Sequence, residues 1–190
     1  MAVISLSDAS IKSGGKRTTF WDQATAWNEG LQLITTQSFS VVSSVSLDNC
    51  FSDNYVRYKI VFDATASANM NVTMRMRASS SDETGSVYLR SRLGGNSTSV
   101  TALRQSGNTS MFFNRIETTD FNSTFAEIQS PYQTEYTGMI HHYGYLPITQ
   151  VCVFLDTYGV NNTTSYDGFS LICDAGTITG SVSVLGYYRG

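Results

Sequence analysis

The sequence predicts an all-β protein: a β-sandwich of jelly-roll type, preceded by an extended N-terminal arm. Apolar and polar residues alternate with a period of two along several segments, which indicates half-buried strands. Turn-forming residues separate these segments at regular spacing. Serine and threonine make up about a quarter of the 190 residues, as expected for strands whose outward faces carry hydroxyl groups. Because no segment has the period of a helix of normal length, a fold of alternating strands and helices is excluded.

The composition indicates one folded domain with few charges. Charged residues are 14% of the chain, and 12 lysines and arginines against 15 aspartates and glutamates give a net charge of −3. This balance leaves no basic face dense enough for nucleic acid. The hydrophobic content of 41% is sufficient for a core without a metal or disulfide staple.

We expect neither membrane insertion nor a secretory signal. No run approaches the roughly eighteen apolar residues that cross a bilayer. Residues 1–8 have neither a basic start nor a continuous apolar stretch, which a signal peptide requires.

Residues 1–30 are predicted to form the arm. A Gly-Gly pair lies among three cations at residues 12–17, and both tryptophans of the chain follow it. We expect an extended segment with one helical turn around these tryptophans, in which Phe20, Trp21 and Trp27 anchor the arm by packing on a partner protein. The alternative is that the arm folds back along its own sandwich.

Residues 31–190 are predicted to form the β-sandwich. Its clearest strand is residues 70–78, which are apolar at every even position and polar at every odd one. With its neighbours this gives about nine to eleven short strands, typical of a jelly roll. The other predicted strands are 38–47, 57–62, 86–92, 99–104, 110–116, 124–129, 148–156, 167–173 and 177–188. Turns are expected at 80–85, 94–96 and 158–162.

Residues that could carry catalysis or bind a metal are few. His141 and His142 are adjacent, so on a strand they would point to opposite faces and not share one site. Asp156 and Asp167 bracket a loop rich in asparagine and threonine, a weak candidate for calcium that lacks the EF-hand spacing. We therefore predict no cofactor and no metal.

The three cysteines are Cys50, Cys152 and Cys173. Their apolar neighbours favour reduced, buried thiols. A bridge between Cys152 and Cys173 on neighbouring strands is the alternative.

Two groups of residues are candidates for an interface or a ligand-binding face. Arg75 and Arg77 share one face of their strand, as do Arg90 and Arg92, so the four guanidinium groups would converge if the two strands paired. They would then meet acidic groups of a partner subunit or anionic sugars, unless they form a solvated outer face. Tyrosines also crowd residues 131–166, where exposed rings would suit interfaces and sugar stacking and buried rings would fill the core. These tyrosines are Tyr132, Tyr136, Tyr143, Tyr145, Tyr158 and Tyr166.

Three segments resemble structural proteins of tailed bacteriophages, especially phages of cyanobacteria and marine bacteria. They are FSVVSSVSLDNCFSDNYVRYKI at 39–60, MRMR at 74–77 and GTITGSVSVLGY at 176–187. The resemblance covers about residues 33–190, and its motifs are structural. It implies a virion module, found in tail fibres and on capsid surfaces alike, that is commonly a trimer.

We therefore expect a non-enzymatic virion protein of tail-fibre type, made in the bacterial host cytoplasm. The arm would anchor it to other virion proteins, and a homotrimeric sandwich would be displayed toward a host cell-surface glycan. The first alternative is a capsid decoration protein, or head fibre, that clamps capsid subunits. The second is a lectin or a carbohydrate-active enzyme on a jelly roll, which would need two suitably spaced carboxylates. Glu117, Glu127 and Glu135 are the candidates for that pair.

Overall fold

The computed structural model describes residues 11–13, 16–18, 30–96, 98–118, 122–145 and 152–188. Every regular element in these ranges is a β-strand. In chain order the strands are β1 (Ile11–Ser13), β2 (Lys16–Thr18), β3 (Leu31–Val42), β4 (Ser44–Leu47), β5 (Tyr55–Ala66), β6 (Met70–Ala78), β7 (Ser81–Asp82), β8 (Tyr88–Asn96), β9 (Ser99–Asn108), β10 (Met111–Ile116), β11 (Asn122–Gln129), β12 (Thr137–Tyr145), β13 (Cys152–Val160), β14 (Gly168–Cys173) and β15 (Ile178–Tyr188).

Eight of these strands form a jelly roll, because they pair as one long hairpin folded across two sheets. β3 pairs with β15, β4 with β14, β5 with β11 and β6 with β10, all antiparallel. The hairpin wraps so that β15 also pairs with β5, and β14 with β6. This gives the order β3-β15-β5-β11 in a large sheet and β10-β6-β14-β4 in a small sheet. The predicted all-β sandwich of jelly-roll type is confirmed.

The alternation that predicted a strand at 70–78 places the apolar side chains of β6 in the core between the sheets. Met70, Val72, Met74 and Met76 are all buried. Phe62 of the large sheet meets Phe113 of the small sheet edge to face, with ring centroids 5.7 Å apart. Such aromatic pairs across the core hold the two sheets together.

Two further strand pairs widen the large sheet beyond the jelly roll. Its order continues from β11 through β12, β13 and β8 to β9. We call these four strands the extension. β10 of the small sheet contacts β12, and Met76 of β6 donates its backbone N–H to the hydroxyl of Tyr88 at the start of β8. The inner face of the extension is therefore partly covered, whereas its outer face carries exposed side chains.

Several predicted boundaries are wrong. The single strand expected at 38–47 is two strands in different sheets, separated by a left-handed φ of 52° at Val41 and a bend at Ser43. The turn expected at 94–96 lies within β8, and the turn expected at 158–162 starts only after Val160. In the last two cases local turn chemistry was outweighed by pairing with a neighbouring strand.

Of the predicted arm, the structure describes residues 11–13, 16–18 and 30. Ile11–Ser13 pairs antiparallel with Lys16–Thr18. Phe20, Trp21, Trp27 and the expected helical turn lie outside the described residues, so their anchoring role stays a prediction.

Candidate functional site

The four arginines singled out in the sequence lie in two separate places. Arg75 and Arg77 belong to β6 of the small sheet, whereas Arg90 and Arg92 belong to β8 of the large sheet. The predicted convergence is therefore wrong, because β6 and β8 do not pair. Each pair does share one face of its own strand, as the period of two requires.

The arginines of β6 make structural contacts on the outer face of the small sheet. Arg77 donates through Nε to Asp48 at 2.7 Å and through Nη1 to Ser170 Oγ at 3.0 Å. It also forms an ion pair with Asp82 of β7. Arg75 donates through Nε to the backbone carbonyl of Thr109 at 3.1 Å. Arg77 thereby ties β7, β14 and the end of β4 together.

The arginines of β8 belong to a buried cluster on the inner face of the extension, centred on Asp156 of β13. Arg92 donates to this carboxylate twice, from Nε to Oδ1 at 2.9 Å and from Nη2 to Oδ2 at 3.2 Å. Arg90 adds one bond, from Nη2 to Oδ2 at 2.7 Å. Arg92 also donates to the hydroxyl of Tyr143. The strand register explains the cluster, because Asp156 lies opposite Arg92 and Tyr158 lies opposite Arg90.

Aromatic rings surround the two guanidinium groups. That of Arg92 lies 4.6 Å from the ring centroid of Phe154, and that of Arg90 lies 5.1 Å from the ring centroid of Phe112. Tyr158 is a second ring beside Arg90, at 5.5 Å. The negative ring faces stabilise the cations where water is excluded.

This cluster carries one more positive than negative charge. Burial raises the pKa of Asp156, while its contact with Arg92 opposes that rise. The two hydrogen bonds from Arg92 form a bidentate pair, so this one arginine is sufficient to balance the charge of the carboxylate. Arg90 is therefore the cation in excess. It is only 9% exposed, and its buried Nε has no hydrogen-bond partner.

A polar cleft of about 220 Å³ opens beside Arg90. It lies between the end of β9, the turn before β10, and the edge of the small sheet. Its lining residues are Thr73, Arg90, Gln105, Asn108, Thr109, Ser110, Phe112 and Tyr158. A second opening of about 300 Å³ shares Arg90, Gln105 and Tyr158 with it. The lining is thus built from hydroxyls, amides, two aromatic rings and one cation.

A break in strand pairing produces the cleft. The register of β8 against β9 shifts between Tyr88 and Arg90, and Gly107 has a φ of +72°, a left-handed conformation that favours glycine. Such a β-bulge bends the strand away from its partner. Arg90 therefore lies beside this gap, with its guanidinium against Asp156, Phe112 and Tyr158.

His141 packs beside this cluster as a core residue. It stacks between the rings of Phe113 and Tyr143, each at 5.1 Å between centroids. Thr124 Oγ1 lies 3.1 Å from His141 Nε2 and 3.2 Å from the carbonyl oxygen of His142, and is hydrogen-bonded to both. Burial lowers the pKa of His141 to about 3, which keeps the ring neutral in all but strong acid. As predicted, the adjacent histidine faces the other way and is exposed.

The predicted group of tyrosines is divided between surface and core. Tyr132 and Tyr136 are exposed in the turn before β12. Tyr143 is buried, so its place on an exposed ligand face is corrected: it stacks on Phe154 at 5.0 Å between centroids. Tyr158 and Tyr166 are buried as well. The side chain of Tyr145 lies outside the described part of the chain.

The outer face of the extension carries apolar side chains that the sequence analysis missed. We call Leu93, Val100, Val153 and Leu155 the outer apolar face. Leu93 is 55% exposed, Val100 80% and Val153 62%. Leu155 lies opposite Leu93, and Gly95 lies between Val153 and Val100, so the four form one patch across β13, β8 and β9. The sequence does contain a signal for this face. In β8 and β13 apolar residues occupy odd as well as even positions, so both faces of these strands carry apolar side chains.

The three candidate glutamates have different surroundings. Glu117 accepts a bond from Arg115 Nε at 2.8 Å. Glu127 accepts one from the hydroxyl of Tyr187 at 2.7 Å. Glu135 is exposed in the turn before β12. Each of the first two carboxylates is held by a structural partner of its own.

The cysteines are thiols in the structure. Cys50, Cys152 and Cys173 are all free, and the alternative of a Cys152–Cys173 bridge between neighbouring strands is wrong because β13 and β14 are not neighbours. Among the described residues, no group of three or more histidine, cysteine or acidic side chains is placed to hold a metal ion.

No protein-family model, curated protein or solved structure matches this chain. Within the described ranges, no helix has the length and apolar character needed to cross a membrane.

Proposed function

We propose that this chain is a non-enzymatic structural protein of a bacteriophage virion, a tail-fibre-type module. Its arm, residues 1–30, attaches it to other virion proteins, and its jelly roll assembles with further copies and is displayed toward the host. The observation that carries this proposal is the outer apolar face on the extension.

An apolar patch on neighbouring strands favours burial by another protein. Single exposed apolar residues are ordinary on protein surfaces, whereas a contiguous patch marks an interaction site. The residues of the outer apolar face come from three adjacent strands, and β9 beside them is an edge strand exposed along nearly its whole length. The proposed occupant is another copy of this chain, since most soluble oligomers are symmetric homo-oligomers. The resemblance to phage structural proteins implies that the oligomer is a homotrimer.

The fold is compatible with this role. Jelly rolls occur in viral capsid proteins and in lectins, which is an analogy of fold and does not by itself assign a function. We choose the viral role over the lectin role because residues 39–60, 74–77 and 176–187 resemble phage structural proteins.

A capsid decoration protein is the second candidate. The outer apolar face lies on a flank of the jelly roll rather than at the end of its strands, and a flank suits subunits that lie side by side on a capsid surface. The same arm would then reach between capsid subunits.

The proposal is tested on particles. An antibody against residues 31–190 should label virions of the phage that encodes the chain, at the tail for a fibre module and at the head for a decoration protein. A chain lacking residues 1–30 should fold but should not join the particles. Absence of label from intact virions would contradict the virion role, and full incorporation of the shortened chain would contradict anchoring by the arm.

A further inference from the structure

The buried guanidinium of Arg90 has fewer hydrogen-bond acceptors within the protein than it can donate to. Arg92 already makes a bidentate pair with Asp156, and Arg90 reaches the same carboxylate through a single bond. Its Nε is buried without a partner. Buried cations without a full set of acceptors are costly, so such a group marks a place where an acceptor from outside would bind.

The charges around the cleft favour an anion. Among the described residues that line it, none is acidic. Arg75 approaches from the small sheet, with its Nε on the carbonyl of Thr109, one of the lining residues. Arg104 lines the second opening, but it lies opposite Ser91 and therefore on the other face of the sheet from the side chain of Arg90. The nearest carboxylate, that of Asp156, is already saturated by two arginines.

The remaining lining suits a polyhydroxylated ring. Thr109 and Ser110 carry hydroxyls and Gln105 carries an amide, which donate and accept hydrogen bonds as sugar hydroxyls require. Thr73 and Asn108 already donate to the carbonyls of Ile172 and Tyr88, so they offer the ligand their oxygens as acceptors. Phe112 and Tyr158 supply the apolar surface. A volume of about 220 Å³ lies below the range usual for drug-sized ligands and suits one ring.

From these observations we propose that the cleft beside Arg90 binds the carboxylate of an acidic sugar, with the sugar ring held by the hydroxyl and amide groups of the lining. The guanidinium of Arg90 turns toward the cleft and exchanges its single bond to Asp156 for the ligand carboxylate. Arg92 keeps Asp156 neutralised throughout. Binding is therefore an exchange of hydrogen bonds in which the buried carboxylate of the protein never loses its partner.

This inference deepens the host-contact part of the proposed function and rests on it for its biological meaning. The binding test uses only the purified chain. A negative binding result would leave the virion role intact, and a chain absent from virions could still bind the sugar, so the two failures are distinguishable.

The test is titration of the full chain with glucuronate, glucose and inorganic phosphate, followed by calorimetry or by chemical shifts of the amides of residues 105–110. We expect saturable binding of glucuronate, weaker binding as salt is added, and no saturable binding of glucose. Arg90→Gln should weaken glucuronate binding about tenfold or more, since a charge-assisted hydrogen bond is lost.

Two variants separate binding from folding. Thr109→Trp fills the cleft from its exposed rim without touching Arg90, and it should also abolish binding. Arg57→Gln removes an exposed arginine on the other side of the large sheet, which lies over the ring of Tyr187, and should leave binding unchanged. Equal affinity for glucose and glucuronate, or unchanged affinity in Thr109→Trp, would overturn the proposal. Phosphate binding as tight as glucuronate binding would overturn the assignment to a sugar.

Discussion

At the scale of single residues, a buried polar side chain can be held by specific partners and still keep one polar atom without a hydrogen bond. His141 is the clearest case, because its ring lies between two aromatic rings and its Nε2 is hydrogen-bonded to the hydroxyl of Thr124. Its Nδ1 is buried without a partner. Protonation would place a second N–H and a charge where neither is satisfied, which is why burial lowers its pKa to about 3.

We predict that His141 makes the fold sensitive to acid. The pKa of this residue is 6.5 in the unfolded chain and about 3 in the folded protein. Between these two pH values the unfolded chain binds the proton more readily, so acid favours unfolding. The free energy of unfolding should fall by up to about 1.4 kcal/mol per pH unit from this group, and the loss should level off below pH 3. Urea denaturation at pH 7, 6, 5 and 4 measures this slope.

Two variants assign the slope to this residue. His141→Phe retains the stacking but cannot be protonated, so its stability should depend less on pH than that of the wild type. His142→Gln changes the exposed neighbour and should retain the wild-type slope. If His141→Phe and the wild type lose stability in parallel, the acid sensitivity comes from the carboxylates instead.

At the scale of elements, a glycine within strand β8 positions one aromatic ring of the arginine cluster. A Cβ at Gly94 would overlap the ring of Phe154, so the ring lies directly on the backbone of β8 and supports Arg92 from the other side. The next residue, Gly95, has open space around the position of a Cβ. Two adjacent glycines therefore have different structural roles.

This difference predicts opposite outcomes for one substitution. Gly94→Ala should displace Phe154 and lower the free energy of unfolding by about 1–3 kcal/mol. Gly95→Ala should change it by no more than about 1 kcal/mol, with a small gain from the reduced freedom of the unfolded chain. Thermal or urea denaturation of both variants decides. Equal effects would show that the ring of Phe154 can move away without loss.

Sequence reasoning predicted those elements whose pattern is local. β6, β14 and β15 were found nearly to the residue, because alternation, or a short apolar run between turns, marks them. The Gly-Gly pair at 94–95 was read as a turn, since nothing in the local sequence shows that Phe154, about sixty residues away, covers it. The pairing of Arg90 and Arg92 with Asp156 was missed for the same reason: it depends on which strands become neighbours, and this is a property of the whole topology.

At the scale of the whole molecule, the extension makes the surface asymmetric. One flank of the large sheet carries the outer apolar face, while the edge strand β3 at the opposite flank carries Leu33, which is also largely exposed. The two positions lie on the same sheet but are separated by the width of the jelly roll. A substitution in the outer apolar face therefore tests its role in assembly, and a substitution of Leu33 serves as the control.

We predict that the chain forms a homotrimer through the outer apolar face. Leu93→Lys places a charge in the centre of that patch and should convert the oligomer to monomers, because burying an unpaired charge is unfavourable. Leu33→Lys should leave the oligomer intact. Sedimentation velocity measures both. A monomeric wild type, or dissociation by Leu33→Lys alone, would contradict the assignment of this interface.

The nesting of β3 against β15 has a mechanical consequence. Leu31 lies directly opposite Tyr187, so the chain enters and leaves the jelly roll at the same corner. Tension applied between these two points peels the last strand from the first one hydrogen bond at a time, the weakest direction in which a sheet can be loaded. Tension between the arm and the far loops instead loads whole strands lengthwise, in shear. A molecule tethered by its arm and gripped at its distal end would therefore resist force far better than one pulled by its two termini.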